Sequence, residues 1–135
     1  MVTAKADPTF QGIDHVQLAA PPGCEAEARR FFGELLGLSE LPKPAVLAVR
    51  GGLWFECGSQ QVHIGVEKDF QPARKAHPGF RLSSEEALNG LRKRLVAEGV
   101  AVRDGEPVEH TVRFFADDPW GNRLEFLAER GKARV

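Results

Sequence analysis

Residues of related chemistry recur in this chain at one constant spacing. His15 and His77 stand 62 positions apart, as do Gly37 and Gly99, and His63 and Glu125. Each pair shares a local setting. His15 in IDHVQL and His77 in AHPGFRL open apolar runs, Gly37 and Gly99 close helical patterns, and His63 in QVHIGV and Glu125 in RLEFL lie in mid-run. The letters differ while spacing and context agree, which is the signature of a duplicated supersecondary unit. Duplication restricts the fold more than any single motif, because whatever one copy becomes the other must match.

Hydrophobic period gives the content of a copy. In Gly12–Ala20, Ile13, His15 and Gln17 alternate with Val16 and Leu18, a strand pattern, and Pro21-Pro22-Gly23 ends it. From Glu25 the period changes: Ala28, Phe31, Phe32, Leu35 and Leu36 form a helical stripe, and Gly37 is the expected stop. Leu41–Arg50, Leu53–Cys57 and Gln61–Val66 then read as three strands, separated by Gly51-Gly52 and Gly58-Ser59. The polar stretch Glu67–Lys75 is a connector. The second copy opens at His77–Leu82, and Ser83-x-x-Glu86 reads as a capping box for a helix with Leu88, Leu91 and Leu95 as its buried stripe. Val100–Val102, Val108–Phe115 and Arg123–Leu127 supply its three strands. Each copy is strand, helix, three strands. The polar ends Met1–Phe10 and Glu129–Val135 are expected to be loosely held.

The last two strands meet at FFADDPWGNRLEF, Phe114–Phe126. Asp118-Pro119 and Gly121-Asn122 are turn formers, and beyond them Arg123, Glu125 and Leu127 alternate with Leu124 and Phe126. The Leu124 face is apolar enough to be buried. Glu125 therefore points the other way in mid-strand, where a carboxylate needs solvent, a cation or a donor. Arg81, Arg113 or Arg123 is a candidate partner for it.

A chain of 135 residues makes one domain, 1–135, with module one at about 12–66, a connector at 67–76 and module two at about 77–127. A net charge of −1 and a pI near 6.4 give no basis for a nucleic acid or anionic membrane partner. No apolar run is long enough to span a bilayer and the first residues lack a signal pattern, so a cytoplasmic protein with reduced Cys24 and Cys57 is expected.

A duplicated βαβββ unit that opens with IDHVQL and closes with DPWGNRLEF resembles the vicinal oxygen chelate superfamily, over roughly Gly12 to Leu127. That group includes glyoxalase I, fosfomycin-resistance transferases, extradiol dioxygenases, methylmalonyl-CoA epimerase and bleomycin-binding proteins. The resemblance implies an α+β fold in which two modules form a curved mixed sheet, a cup, with helices outside. It also implies metal ligands on the first and last strands of the modules, which here fall on His15, His63, His77 and Glu125. Imidazole and carboxylate suit a divalent metal, Zn, Ni, Mn or Fe(II). Strand parity adds Gln17, Trp54, Gln61, Arg81 and Phe115 as a substrate pocket, with the alternate aromatics of Trp54-Phe55 and Phe114-Phe115 on its floor.

The reading that follows is a metal-dependent enzyme of the glyoxalase type. It acts on a small oxygenated molecule by bidentate chelation and proton transfer, as a lyase, isomerase or dioxygenase, with Glu125 as the base. Two departures narrow it. Glyoxalase I-like sites supply a carboxylate where this chain has His63, and the tyrosine common near the substrate of dioxygenases and fosfomycin transferases has no counterpart in a chain with no tyrosine. The alternative is a metal-free small-molecule or antibiotic binding protein that holds its ligand between aromatic rings. Exposed strand edges and an open apolar floor lead us to expect a homodimer, with cavities built within one chain or across two.

Overall fold

The computed structural model describes residues 8–131; residues 1–7 and 132–135, which belong to the two expected loose ends, lie outside the described residues. Strand β1 (His15–Ala20) is followed by α1 (Glu25–Ala28), which continues directly as a π-helical stretch, Arg29–Leu35. The widened turn is carried by Leu36 N–H, which donates to the Phe31 carbonyl at 2.9 Å, and both Phe31 and Phe32 lie in the core. Then come β2 (Ser39–Leu41), α2 (Ala45–Ala48), β3 (Leu53–Cys57) and β4 (Gln60–Val66). The second half repeats the series as β5 (Gly79–Arg81), α3 (Glu85–Ala97), β6 (Val102–Asp104), β7 (Thr111–Asp117) and β8 (Arg123–Glu129).

The two halves make two four-stranded sheets of the same order, β1-β4-β3-β2 and β5-β8-β7-β6. In each, the first and last strands run parallel and the other pairs antiparallel. Parallel neighbours need a crossover, and α1 with its π-helical continuation in one half and α3 in the other supply it. The fold is therefore α+β, as the periodicity predicts. Leu18, Phe55, Val62 and Ile64 of the first sheet and Phe114, Leu124 and Phe126 of the second pack with Phe31, Phe32, Leu88, Leu91 and Leu95 of the helices as one core. Each large side chain buried there contributes about 1.5–3 kcal/mol against exposure.

Four expectations change. The strand expected over Leu41–Arg50 ends at Leu41, because Pro42 and Pro44 have no N–H for a ladder and Pro44 instead starts the helical turn α2. The cap of α3 is Ser84 rather than Ser83: Ser84 Oγ accepts from Ala87 N–H at 3.0 Å, and no Glu stands at the reciprocal position. β6 lies beyond Val100–Val102, at Val102–Asp104, because Gly99 (φ 81) ends the helix and Val100 N–H still donates back to Leu95. β7 begins after Val108 because His110 takes φ 65 in a turn that bridges Val108 to Thr111.

The turn after β7 joins the modules. Asp118 is buried, and its carboxylate accepts from Trp120 N–H (3.0 Å), Asn122 N–H (2.8 Å) and Asn122 Nδ2 (2.7 Å). Asn122 Nδ2 also donates to the Ala19 carbonyl at 2.8 Å, tying this turn to the end of β1. Gly121 (φ 95) supplies the left-handed residue the turn needs.

Two predictions come from these contacts. At Gly52 (φ 84) a Cβ would stand 2.1 Å from the Ile64 carbonyl oxygen, whereas at Gly58 (φ 59) it would meet nothing within 4 Å. Gly52→Ala should cost more than about 2 kcal/mol and Gly58→Ala only about 1 kcal/mol, read from urea unfolding midpoints. Burial holds the Asp118 carboxyl above its ordinary 3.8, against the lowering hydrogen bonds from Asn122 and Trp120. The folded state then keeps its proton longer than the unfolded one, so this group's contribution to stability falls as pH rises from 3.8 toward the raised folded value. Asp118→Asn should flatten that slope. It should still unfold more easily at neutral pH, because its new amide would face the Asn122 Nδ2 donor.

Candidate functional site

In both sheets the residues opposite the helices form an open face, and strand pairing decides which of them are neighbours. The parallel register sets Gln17 beside His63 and Gly79 beside Glu125, while the antiparallel register sets Trp54 beside His63 and Phe115 beside Glu125. The two faces are thus built alike, with an aromatic ring next to the residue on the last strand.

On the first face three rings are stacked. His15 lies 4.1 Å from His63 with planes 12° apart, and Trp54 lies 4.1 Å from the other side of His63 with planes 6° apart. His63 is only 5% exposed between them. Gln17 lies across Gly65, where a Cβ would come within 2.7 Å of its amide nitrogen. A cavity of about 700 Å³ opens over this face, lined by His15, Gln17, Trp54, Gln61 and His63 and by Lys43 and Arg50 from the segment between β2 and β3.

On the second face His77 Nε2 lies 3.2 Å from Glu125 Oε1, and Arg113 lies 3.6 Å from Glu125 Oε2. Phe115 meets the His77 ring edge-on at 5.6 Å. Arg113 is thus the partner of Glu125 among the arginines named from the sequence. Arg81 shares the parity of Gly79 on β5 and has no hydrogen-bond or ion-pair partner among the described residues. His110, outside the repeat, is exposed beside Glu109.

The four expected ligands therefore come together as two pairs, His15 with His63 and His77 with Glu125. Among the described residues of one chain, no three His, Cys, Asp or Glu side chains are grouped to hold an ion. Their hydrogen bonds nonetheless fit ligands. His15 Nδ1–H donates to Asp14 Oδ2 (2.9 Å), His63 Nε2–H to Gln61 Oε1 (2.8 Å) and His77 Nδ1–H to the Lys75 carbonyl (2.8 Å). His15 and His63 are each oriented by an acceptor on one nitrogen and offer a lone pair from the other, the outer-shell pattern of metal-binding histidines. His77 differs. With Nδ1–H given to a carbonyl, its Nε2 faces a carboxylate oxygen, an arrangement satisfied by a second proton or by a cation between them.

The ring stack imposes a condition. A ligating nitrogen points its lone pair in the plane of its ring, and two nearly parallel planes about 4 Å apart do not meet at a point within bond length of both. His15 and His63 hold one ion together only if a ring turns out of the stack.

The family is fixed by comparison. Residues 12–126 match the model of the Glyoxalase/Bleomycin resistance protein/Dioxygenase superfamily. The chain belongs to that superfamily. No curated protein matches. A crystal structure of a glyoxalase family protein from Bacillus anthracis is 46% identical, with a TM-score of 0.86 over 93% of this chain and 100% of that one. The fold is also that of a lactoylglutathione lyase from Agrobacterium tumefaciens (18% identity, TM-score 0.69, 90% and 96% covered). A genomically encoded fosfomycin resistance protein from Listeria monocytogenes shares it as well (17% identity, TM-score 0.73, 92% and 94% covered). No helix among the described residues is long and apolar enough to cross a membrane.

Sequence reasoning missed Lys43, Arg50 and Asp14, although Lys43 and Arg50 stand in plain view between the two prolines and Gly51-Gly52. Burial lowers the His63 pKa below 6.5, helped by His15 and Lys43 and opposed by Asp14. The unfolded chain takes up that proton first, so this contribution to stability is whole above 6.5 and is lost as pH falls from there to the lowered folded value. His63→Gln should make the unfolding midpoint less sensitive to acid across that window. In an NMR titration the ring should change charge below 6.5, and His15→Asn should move that midpoint up.

Proposed function

We propose that the protein is a metal-dependent enzyme of the glyoxalase type, acting on a small oxygenated molecule in a cavity that two copies of the chain complete. The observation that supports it is the orientation of the imidazoles: His15 and His63 each give one nitrogen to an acceptor and keep the other for a ligand, and His77 Nε2 faces the Glu125 carboxylate. His15 and His63 of one chain, once one of the two rings turns out of the stack, would hold Zn, Ni, Mn or Fe(II) together with His77 and Glu125 of its partner. A metal bound there acts as a Lewis acid for vicinal substrate oxygens.

The remaining chemistry belongs to the chain. Asp14 and Gln61 fix the ring orientation of His15 and His63, and the Lys75 carbonyl fixes that of His77. Glu125 Oε1 is the proton acceptor, and Arg113 beside Oε2 keeps the carboxylate aimed. Gln17, Gln61, Trp54, Arg81 and Phe115 form the walls. A specific lyase, isomerase or dioxygenase activity is not assigned.

One observation favours the second reading, a metal-free binding protein. The Trp54–His63–His15 stack lines the cavity with a row of aromatic ring edges, which would take a planar ligand edge-to-face as it stands. Elemental analysis of untagged protein separates the two, since a binding protein carries no stoichiometric metal.

A mixing experiment tests the shared site. His15→Ala/His63→Ala and His77→Ala/Glu125→Gln should each bind no metal alone, while their mixture should recover up to one ion per heterodimer. If each site lay within one chain, mixing would recover nothing. Glu125→Gln alone should fold normally, since volume is kept, and should lose about 100-fold or more in turnover, as removal of a general base does.

A further inference from the structure

The two halves differ most in the segment after their second strand. Between β6 and β7 the connection Gly105–His110 is short and its charged residues, Glu106 and Glu109, are acidic. Between β2 and β3 the connection is longer, folds into α2, and carries Lys43 and Arg50, both of which line the cavity over the ring stack. Lys43 Nζ donates to the Gly51 carbonyl at 2.5 Å, which closes the segment into a loop and leaves its other two hydrogens unassigned. Arg50 has no hydrogen-bond or ion-pair partner among the described residues. The single acid lining this cavity, Asp14, is engaged by His15. The cavity thus has a cationic wall in a chain whose net charge is −1.

We propose that the ligand of the module-one face is an anion, with a planar body against the Trp54–His63–His15 stack and a carboxylate held by Lys43 and Arg50. This rests on the module-one face being the half of the site that takes the ligand, but not on the presence of a metal. A carboxylate suits the wall because it accepts from both an ammonium and a guanidinium, and the guanidinium can bind it through two parallel hydrogen bonds. His63 has a ring on each side and turns only its edge outward, so a conjugated or aromatic body lies edge-to-face across the stack, one of the arrangements that rings use with each other. Cations at a cleft mouth also raise the local concentration of an anionic substrate, which a slightly acidic protein otherwise repels. Neither Lys43 nor Arg50 touches the reacting group in this scheme. They select the substrate by its remote charge.

The test uses full-length protein stripped of metal with EDTA and a matched pair of probes, 2-naphthoate and its neutral isostere 2-naphthamide, titrated by calorimetry. The naphthoate should bind at least about tenfold tighter, a difference of roughly 1.4 kcal/mol. Lys43→Gln/Arg50→Gln should bring it down to the amide's affinity and leave the amide unchanged. Both residues sit on a partly exposed segment, and an unchanged thermal midpoint verifies that the double variant is folded. Equal affinities in the native protein overturn the proposal, as does failure of naphthoate to bind at millimolar concentration. A preference that survives in the double variant overturns it too, and moves the anion to the free Arg81 of the other face. Because the protein is metal-free throughout, this result stands apart from elemental analysis, which alone decides the metalloenzyme reading.

Discussion

The parallel pairing of the first and last strand of each module governs everything else in this structure. A parallel pair cannot be closed by a hairpin, so each module must carry a helical crossover, and the crossover must cover one face of its sheet. That leaves the opposite face open, and the register of the first and last strands decides which of its residues are neighbours. Gln17 meets His63 and Gly79 meets Glu125 by the same rule. The side chains with ligand chemistry are therefore neighbours because the backbone is wound this way. Their own attraction to one another is not needed to bring them there.

A second tie joins the halves. The buried Asp118 carboxylate spends its acceptors on Trp120 and Asn122, which frees the Asn122 amide to reach the Ala19 carbonyl of the other module. The carboxyl is itself raised by burial, so this tie is held at some cost to stability. What it gives is position: β1, which carries His15, is anchored at its far end by the turn that leads into β8, which carries Glu125. The DPWGN sequence is thus less a generic turn than the joint between two open faces.

Much of this was legible in the sequence. Constant spacing of His15 with His77 and of His63 with Glu125 survives folding because the first and last strands keep one register in both modules. The alternation around Leu124 and Phe126 named the buried face correctly. Where the reading slipped, the cause was local chemistry that period does not capture. Pro42 and Pro44 broke a run that is apolar enough for a strand, and His110 took a left-handed turn inside another. Cross-strand relations were harder still. Nothing along the chain says that Trp54, His63 and His15 stack, because their contact joins the β3–β4 hairpin to β1, which is distant in sequence. Lys43 and Arg50 escaped notice because a loop residue has no parity from which to infer where it points.

Duplication followed by divergence explains why the two faces are alike in frame and unlike in chemistry. The equivalent positions hold His63 in one copy and Glu125 in the other, a neutral donor against a charged one, and their neighbours follow suit. His63 is buried where its protonation is disfavoured, whereas Glu125 lies beside the Arg113 guanidinium and the His77 ring. Two identical halves would offer a substrate the same chemistry from both sides and could not tell its two ends apart. Unlike halves place aromatic area and cationic side chains on one side and an oriented carboxylate on the other. In the proposed enzyme a small molecule held between them would have one orientation that satisfies both faces, with the proton to be moved lying toward Glu125. The asymmetry of the repeat, more than any one residue in it, is what turns a symmetric scaffold into a site with a direction.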